Sequence, residues 1–165
     1  FRVLKGAEVN IMKDGSLDIN DNVLAKLEIV GAAVHSNFNM PKKVMTERII
    51  RAMRNPNVDI IFHPTGRIIN KRPGYEIDIE AIIKAALETG TILEIDAFPT
   101  RLDFNDYYIR KCVEAGVKMA IDSDAHHFSH LRYLNLGVAQ ARRGWAKKSD
   151  IINTLPIKEF LKELK

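Results

Sequence analysis

Val58-Asp59-Ile60-Ile61-Phe62-His63-Pro64 is a short apolar run that ends on an imidazole and a proline. Runs of this length, rich in β-branched and aromatic residues and bounded by Asn, Asp, Gly or Pro, read as strands. Four more share its character: Val3–Ile11, Glu28–Val34, Thr91–Ile95 and Val117–Ile121. Their starts recur every 25 to 33 residues, which leaves room for one helix in most intervals.

The intervals carry helical patterns. After Pro41, the stretch KKVMTERIIRAM places Val44, Ile49, Ile50 and Met53 at helical spacing, and Asn55-Pro56 ends it. Ile79–Leu87 is closed by Gly90 and Asp106–Ala115 by Gly116, glycine being the usual residue past a helix end. The stretch from Val9 to Leu27 holds an Asp14-Gly15 turn and a short helical segment with Val23, Leu24 and Leu27. Past the last strand, Leu131–Arg142 and Ile157–Leu164 read as helices, the second begun by Pro156 and joined to the first through Lys147–Thr154.

Strands alternating with helices predict a parallel sheet with helices outside it, and therefore an α/β fold. Five strands do not close a barrel of eight, which usually takes about 250 residues. The expectation is a single domain over residues 1–165 that forms either an open α/β sheet or part of a TIM-like βα barrel. The abrupt start at Phe1, straight into a strand, favours the second.

Composition sets outer limits. The 165 residues are 46% hydrophobic and 28% charged, enough for a core and a solvated surface. No apolar run approaches the ~20 residues that span a bilayer, and there is no secretory signal. The cytoplasm is the default compartment. One cysteine, Cys112, excludes an internal disulfide and a zinc-finger spacing, and inside YYIRKCVEAG it reads as a buried thiol. A net charge of +4 suits an anionic substrate without requiring one.

Functional residues of βα folds gather at the C-terminal ends of the strands. Glu8 comes late in the first run, His35 follows the second, His63 follows the third, Glu94 and Asp96 end the fourth, and Asp122, Asp124 and His126 follow the fifth. A lone His after a strand is more often a hydrogen-bonded structural residue than a ligand. Three of the five histidines in that position, with carboxylates beside them, point instead to a site for Zn, Mn or Fe. Asp124 and His126 are two apart, so in extended backbone they share a face; Asp122 competes with Asp124 for the same role. His127 and His130 read as solvated or capping residues. Arg67, Lys71, Arg72 and Arg101 lie in the same set of loops and are candidate phosphate ligands, Arg67 and Arg101 the best placed of them. Lys42 and Lys43 read as solvated, and Arg48, Arg51 and Arg54 as one exposed helix face. There is no G-x-G-x-x-G, Walker A or G-x-S-x-G pattern.

The pieces LKGAEVNI, GAAVHSNF, DIIFHPTGR, LEIDAFPTRLD and IDSDAHH, in this order from Leu4 to His127, resemble the PHP (polymerase and histidinol phosphatase) domain. Within that family the likeness is to the domains attached to bacterial and archaeal family X DNA polymerases. The resemblance implies a distorted βα barrel and a metal-dependent phosphoesterase with two or three divalent ions (Mn, Zn or Fe). Glu8 would be the bridging carboxylate, His35 and His63 single ligands, Asp124 and His126 the closing D-x-H pair, and Arg101 a residue on the phosphate side. It further implies 3′–5′ exonuclease or related processing of DNA ends, with DNA as partner in the full-length protein and a polymerase domain upstream. A small-molecule phosphatase of the histidinol-phosphatase type, and an inactive scaffold that binds nucleic acid or a polymerase, are the alternatives. Two departures stand out. The family's opening H-x-H motif and first strands are not found here, which implies the C-terminal part of such a domain, with open strand edges and possible oligomers. The usual Asn of the E-I-N-A motif is Asp96.

Overall fold

The computed structural model describes residues 2–165; the start at Phe1 lies outside the described residues. Five parallel strands form one open sheet in chain order: β1 (Gly6–Asn10), β2 (Ile29–Ala33), β3 (Ile60–Ile61), β4 (Ile92–Asp96) and β5 (Met119–Asp122). The sheet is an unclosed arc of a TIM-like barrel with helices around it. Each predicted run overlaps its strand; β1, β2 and β3 are trimmed at both ends, while β4 and β5 start later and run one residue further, to Asp96 and Asp122. Beyond the two residues of β3, the Asp59 and Phe62 N–H groups still donate to Val30 and Ala32 carbonyls, at 2.9 and 3.0 Å. The pairing stops where His63 turns into left-handed backbone, φ 30°.

The helices are α1 (Asp21–Leu24), α2 (Lys42–Met53), α3 (Ile79–Thr89), α4 (Asp106–Ala115), α5 (Leu134–Arg143) and α6 (Ile157–Glu163). Side chains of Asp78 and Asn105 cap α3 and α4 by accepting the Ala81 and Tyr108 N–H groups. The predicted helix from Leu131 divides in two: a 3-10 turn over Phe128–Tyr133 and then α5. The His127 side chain accepts from Ser129 N–H at 3.3 Å and its carbonyl accepts from His130 N–H, so helical turning begins three residues early and more tightly wound. Among the described residues no helix is long and apolar enough to cross a membrane.

Strand register decides which side chains meet. Glu8 pairs with Gly31, Gly31 with Ile60, Ile60 with Ile92, and Glu94 with Ala120. Paired residues of a parallel sheet share a face, and residues two apart along a strand stay on it. The outer face carries Val9, Val30, Ala32, Ile61, Leu93, Ile95, Met119 and Ile121, all buried against the helices in the main core. The inner face is divided along the strands. Its lower part, Ile60, Ile92 and Ala120, is covered by Ile152, Leu155, Phe160 and Leu164 of the C-terminal segment. Its upper part carries the acids Glu8, Glu94, Asp96 and Asp122, with Ala33 and Phe62 among them. The acids thus gather at the C-terminal ends of the strands.

Gly31 is where β2 passes under Phe62. A Cβ at that position would lie 1.9 Å from the Phe62 ring. Gly31→Ala should therefore lower stability by about 1–3 kcal/mol through overpacking, read as a shifted urea midpoint at unchanged slope; an unshifted midpoint would show that the ring moves aside freely.

Arg48 corrects the sequence reading of an exposed arginine face on α2. It is 2% exposed. Its guanidinium donates to the carbonyls of Met12 (2.8 Å), Ser36 (2.9 Å) and Ile11. Because 48 lies on the helix side turned to the sheet, with Met45, Ile49 and Ala52, the arginine reaches the loops that leave β1 and β2. Arg51 and Arg54 are exposed, and Arg51 reaches the Asp14 carbonyl at 3.0 Å.

Candidate metal centre

Glu8, His35 and His63 come from three neighbouring strands and converge, each offering a ligand atom within 4.8 Å of the others. Glu8 Oε1 lies 3.2 Å from His35 Nε2 and 3.0 Å from His63 Nε2. The two imidazoles meet edge to face, ring centroids 5.1 Å apart. His35 and His63, in that order, hold the Glu8 carboxyl well below the usual carboxylate range, against the opposing pull of its partial burial.

His63 is fixed from behind. Its N–H donates to Glu94 Oε2, and its side chain is 4% exposed. The next turn is held by Asp103, whose carboxylate accepts from Thr65 N–H at 3.0 Å and from Thr65 Oγ1 at 2.8 Å. Positive φ at a residue with a side chain costs free energy and collects at functional sites. His63 (φ 30°) and Asp124 (φ 44°), on either side of the arc, are both of this kind.

Further round the arc lies an acidic row. Burial, then repulsion from Asp122, raises Glu94 well above its ordinary range. Burial pushes Asp96 up to about 8 and raises Asp122. Asp96 Oδ1 accepts from Phe98 N–H at 2.6 Å, while its buried Oδ2 has no hydrogen-bond partner. Arg101 Nε stands between Asp96 Oδ2 (3.5 Å) and Asp124 Oδ2 (3.6 Å), and its buried Nη1 is also without a partner.

The five candidate ligands therefore fall into two groups. Glu8, His35 and His63 form one cluster. Asp124 and His126 lie together, with His126 Nδ1 3.5 Å from Asp124 Oδ1, but Asp124 faces Arg101 and the exposed His126 ring turns back to the Asp124 carbonyl at 2.8 Å. The candidate phosphate ligands divide as well. Arg101 faces the acids. Arg67 is spent on the loop after β4, donating to the carbonyls of Arg101 (2.7 Å) and Leu102. Arg72 donates to the Gly66 carbonyl at 2.6 Å and lies over the Phe38 ring. Both guanidinium groups are thus engaged with loop carbonyls and anchor those loops. Lys71 stays exposed on the 68–72 turn between them.

Two residues at the cluster escaped the sequence reading. Asn10 Oδ1 lies 2.6 Å from His35 Nδ1, and Asp18 holds Asn10. Asn10 was findable, since it is two residues past Glu8 on the same strand face. Asp18 was not, because only the turn after β1 brings it back.

The donor set fits a divalent cation. Two imidazole nitrogens and a carboxylate oxygen point at one another, and these are the ligand types of Zn and Mn sites. The hydrogen bond from the His63 backbone N–H to buried Glu94 holds His63 in its left-handed conformation facing the other two.

An open βα arc with imidazoles and carboxylates at the C-terminal strand ends defines a class of domain whose chemistry sits at that rim. The chain is 46% identical over 165 residues to the DNA polymerase/3'-5' exonuclease PolX of Bacillus subtilis, covering 98% of this chain and 29% of PolX. It is 37% identical over 175 residues to a probable phosphatase of Thermoanaerobacter sp., covering 99% of this chain and 69% of that protein. A probable phosphatase of Caldanaerobacter subterraneus is 38% identical over 134 residues, half of its own length. No protein-family model matches. The chain belongs to the family of these probable phosphatases, and it is homologous to a segment of PolX.

Proposed function

We propose that this chain is a PHP-type, metal-dependent phosphoesterase domain, over residues 1–165, that processes DNA ends as part of a family X DNA polymerase. The observation that carries the reading is the Glu8 carboxylate gripped by two imidazoles at the rim of a parallel βα arc. The likeness to PolX, a 3'-5' exonuclease by name, supports the choice of DNA, and the probable phosphatases support phosphate-ester hydrolysis.

In this reading Glu8, His35 and His63 hold one divalent ion, and Asp124 and His126 complete a cluster of two or three once Asp124 leaves Arg101. Mn, Zn and Fe all suit imidazole and carboxylate donors. A bound cation supplies neutralisation of charge on a phosphoryl oxygen and a lowered pKa for water. The chain's own residues do the rest. Arg101, at the acidic rim beside Asp96 and Asp124, donates to a phosphate oxygen and stabilises charge developing there. Lys71 binds phosphates further along the strand. Arg67 and Arg72 hold the loops that carry both. The excess of basic residues, net +4, favours approach of a polyanion.

Elemental analysis of the purified chain and of a His35→Ala, His63→Ala double variant is the first test. One or more equivalents of metal, lost in the variant, are expected. Mn²⁺-dependent removal of nucleotides from the 3′ end of a labelled oligonucleotide should accompany the metal. A chain that takes up no Mn²⁺ or Zn²⁺ sinks the proposal. A loaded chain that cleaves small phosphomonoesters and leaves DNA intact moves the substrate to the small-molecule class.

A further inference from the structure

Three hydrogen bonds lock Asn10 to Asp18. Asp18 Oδ1 accepts the Asn10 N–H at 2.9 Å, Asp18 Oδ2 accepts from the Asn10 side-chain Nδ2, and the Asp18 N–H donates to the Asn10 carbonyl at 3.2 Å. The turn that returns Asp18 to β1 is itself built: Ile11 bridges Leu17, Met12 N–H donates to Ser16 O, and Asp14 Oδ1 accepts from both Ser16 N–H and Ser16 Oγ.

The chemistry of the donors then fixes a proton. An ionised carboxylate only accepts, so the Asn10 NH₂ group belongs on the Asp18 side and its oxygen on the other. That oxygen is 2.6 Å from His35 Nδ1. An amide oxygen also only accepts, so Nδ1 must carry the hydrogen. In the singly protonated ring, Nε2 is left as a bare lone pair, 3.2 Å from the carboxylate oxygen of Glu8. Two acceptors facing each other at that distance repel unless a positive centre lies between them, either a second proton on the ring, which then donates to Glu8, or a metal ion that takes that proton's place.

We infer that Asp18 and Asn10 form a positioning relay that sets the His35 tautomer, so that its Nε2 lone pair is presented to a divalent cation on the Glu8 side. The inference rests on the proposed metal centre and assigns two residues to it that touch neither metal nor substrate. It also makes the two imidazoles unequal. His35, 39% exposed, is preset by the relay; His63, 4% exposed and with its Nδ1 unpartnered, is held by burial and by its own backbone. Hydrogen bonds of this kind behind a ligating imidazole orient the ring and raise its basicity, and their loss typically weakens metal binding about 10- to 100-fold.

The test uses Asn10→Ala and the isosteric Asp18→Asn, each in the 165-residue chain, with two readouts. Ring ¹⁵N NMR of the metal-free chain reports the tautomer. The wild type should show His35 protonated at Nδ1; Asn10→Ala should move it toward the Nε2–H form, and Asp18→Asn should do so in part, because its amide also lets Asn10 turn round. Zn²⁺ titration by calorimetry should show affinity reduced about 10- to 100-fold in Asn10→Ala, with the circular dichroism of the fold unchanged. A wild-type His35 bare at Nδ1 and protonated only at Nε2, or a ring unmoved in Asn10→Ala, overturns the relay even if Zn²⁺ binds. A tautomer that shifts as expected in a chain that binds no Zn²⁺ leaves the relay's control of the ring standing and overturns the metal reading and the cation half of this inference.

Discussion

Glu8→Gln should reduce divalent-metal affinity by at least about 100-fold, more than the 10- to 100-fold typical of losing a hydrogen bond behind a ligand, and abolish any metal-dependent phosphoester hydrolysis. The substitution keeps the side chain's size and removes its charge. Glu8 is the point at which two imidazoles converge, 3.0 and 3.2 Å from one oxygen. Those imidazoles hold its carboxyl far below the ordinary range, so at neutral pH the native side chain is an anion. A glutamine brings an NH₂ group that donates directly to an imidazole nitrogen, using up a lone pair that a cation needs. Stability should fall modestly too, since the imidazoles lose the anion they hold at a partly exposed site. Calorimetric titration with Zn²⁺ and Mn²⁺, beside a urea unfolding curve, checks both statements. Wild-type affinity in Glu8→Gln would remove Glu8 from the ligand set and with it the proposed site.

The second large effect concerns the fold. Arg48→Met should destabilise the chain by about 2–4 kcal/mol, a figure built from about 1–3 kcal/mol for each buried polar group left unpaired. Methionine replaces the aliphatic stem and keeps good helix propensity, so the loss isolates the guanidinium. Arg48 satisfies carbonyls of Ile11, Met12 and Ser36. Met12 O also accepts from Gly15 N–H, which limits the loss at that carbonyl. These residues flank His35 and the turn that carries Asp18, so metal affinity should fall along with stability in this variant. Denaturant unfolding gives the first quantity. An unfolding free energy within about 0.5 kcal/mol of wild type, the usual range for surface substitutions, would return Arg48 to the solvated face on which its spacing with Arg51 and Arg54 first placed it.

That contrast shows what a single sequence carries. The period of apolar runs and the Gly and Pro stops gave all five strands and placed the main helices, because each depends on local backbone preference and on which side chains need burial. Helix α4 begins and ends where Asn105 and Gly116 put it, since a cap and a left-handed stop act within one turn. Glu8, His35 and His63 were legible as ligand candidates, because parallel strands deliver the residues at their C-terminal ends to one rim.

Charge partners were not legible. A guanidinium takes the nearest carbonyls in three dimensions, and nothing near Arg67, Arg72 or Arg48 in sequence says that loops from distant strands supply them. For the same reason Asp124 was readable as a ligand candidate but not as the neighbour of Arg101, whose loop leaves a different strand. The inner sheet face, apolar below where the C-terminal segment covers it and acidic above, exists only through register between strands. The sequence by itself determined the strands, their order and the chemistry at their ends. Tertiary structure decided which of those groups face one another, because hydrogen bonds and ion pairs act over a few ångströms of space and are indifferent to separation along the chain.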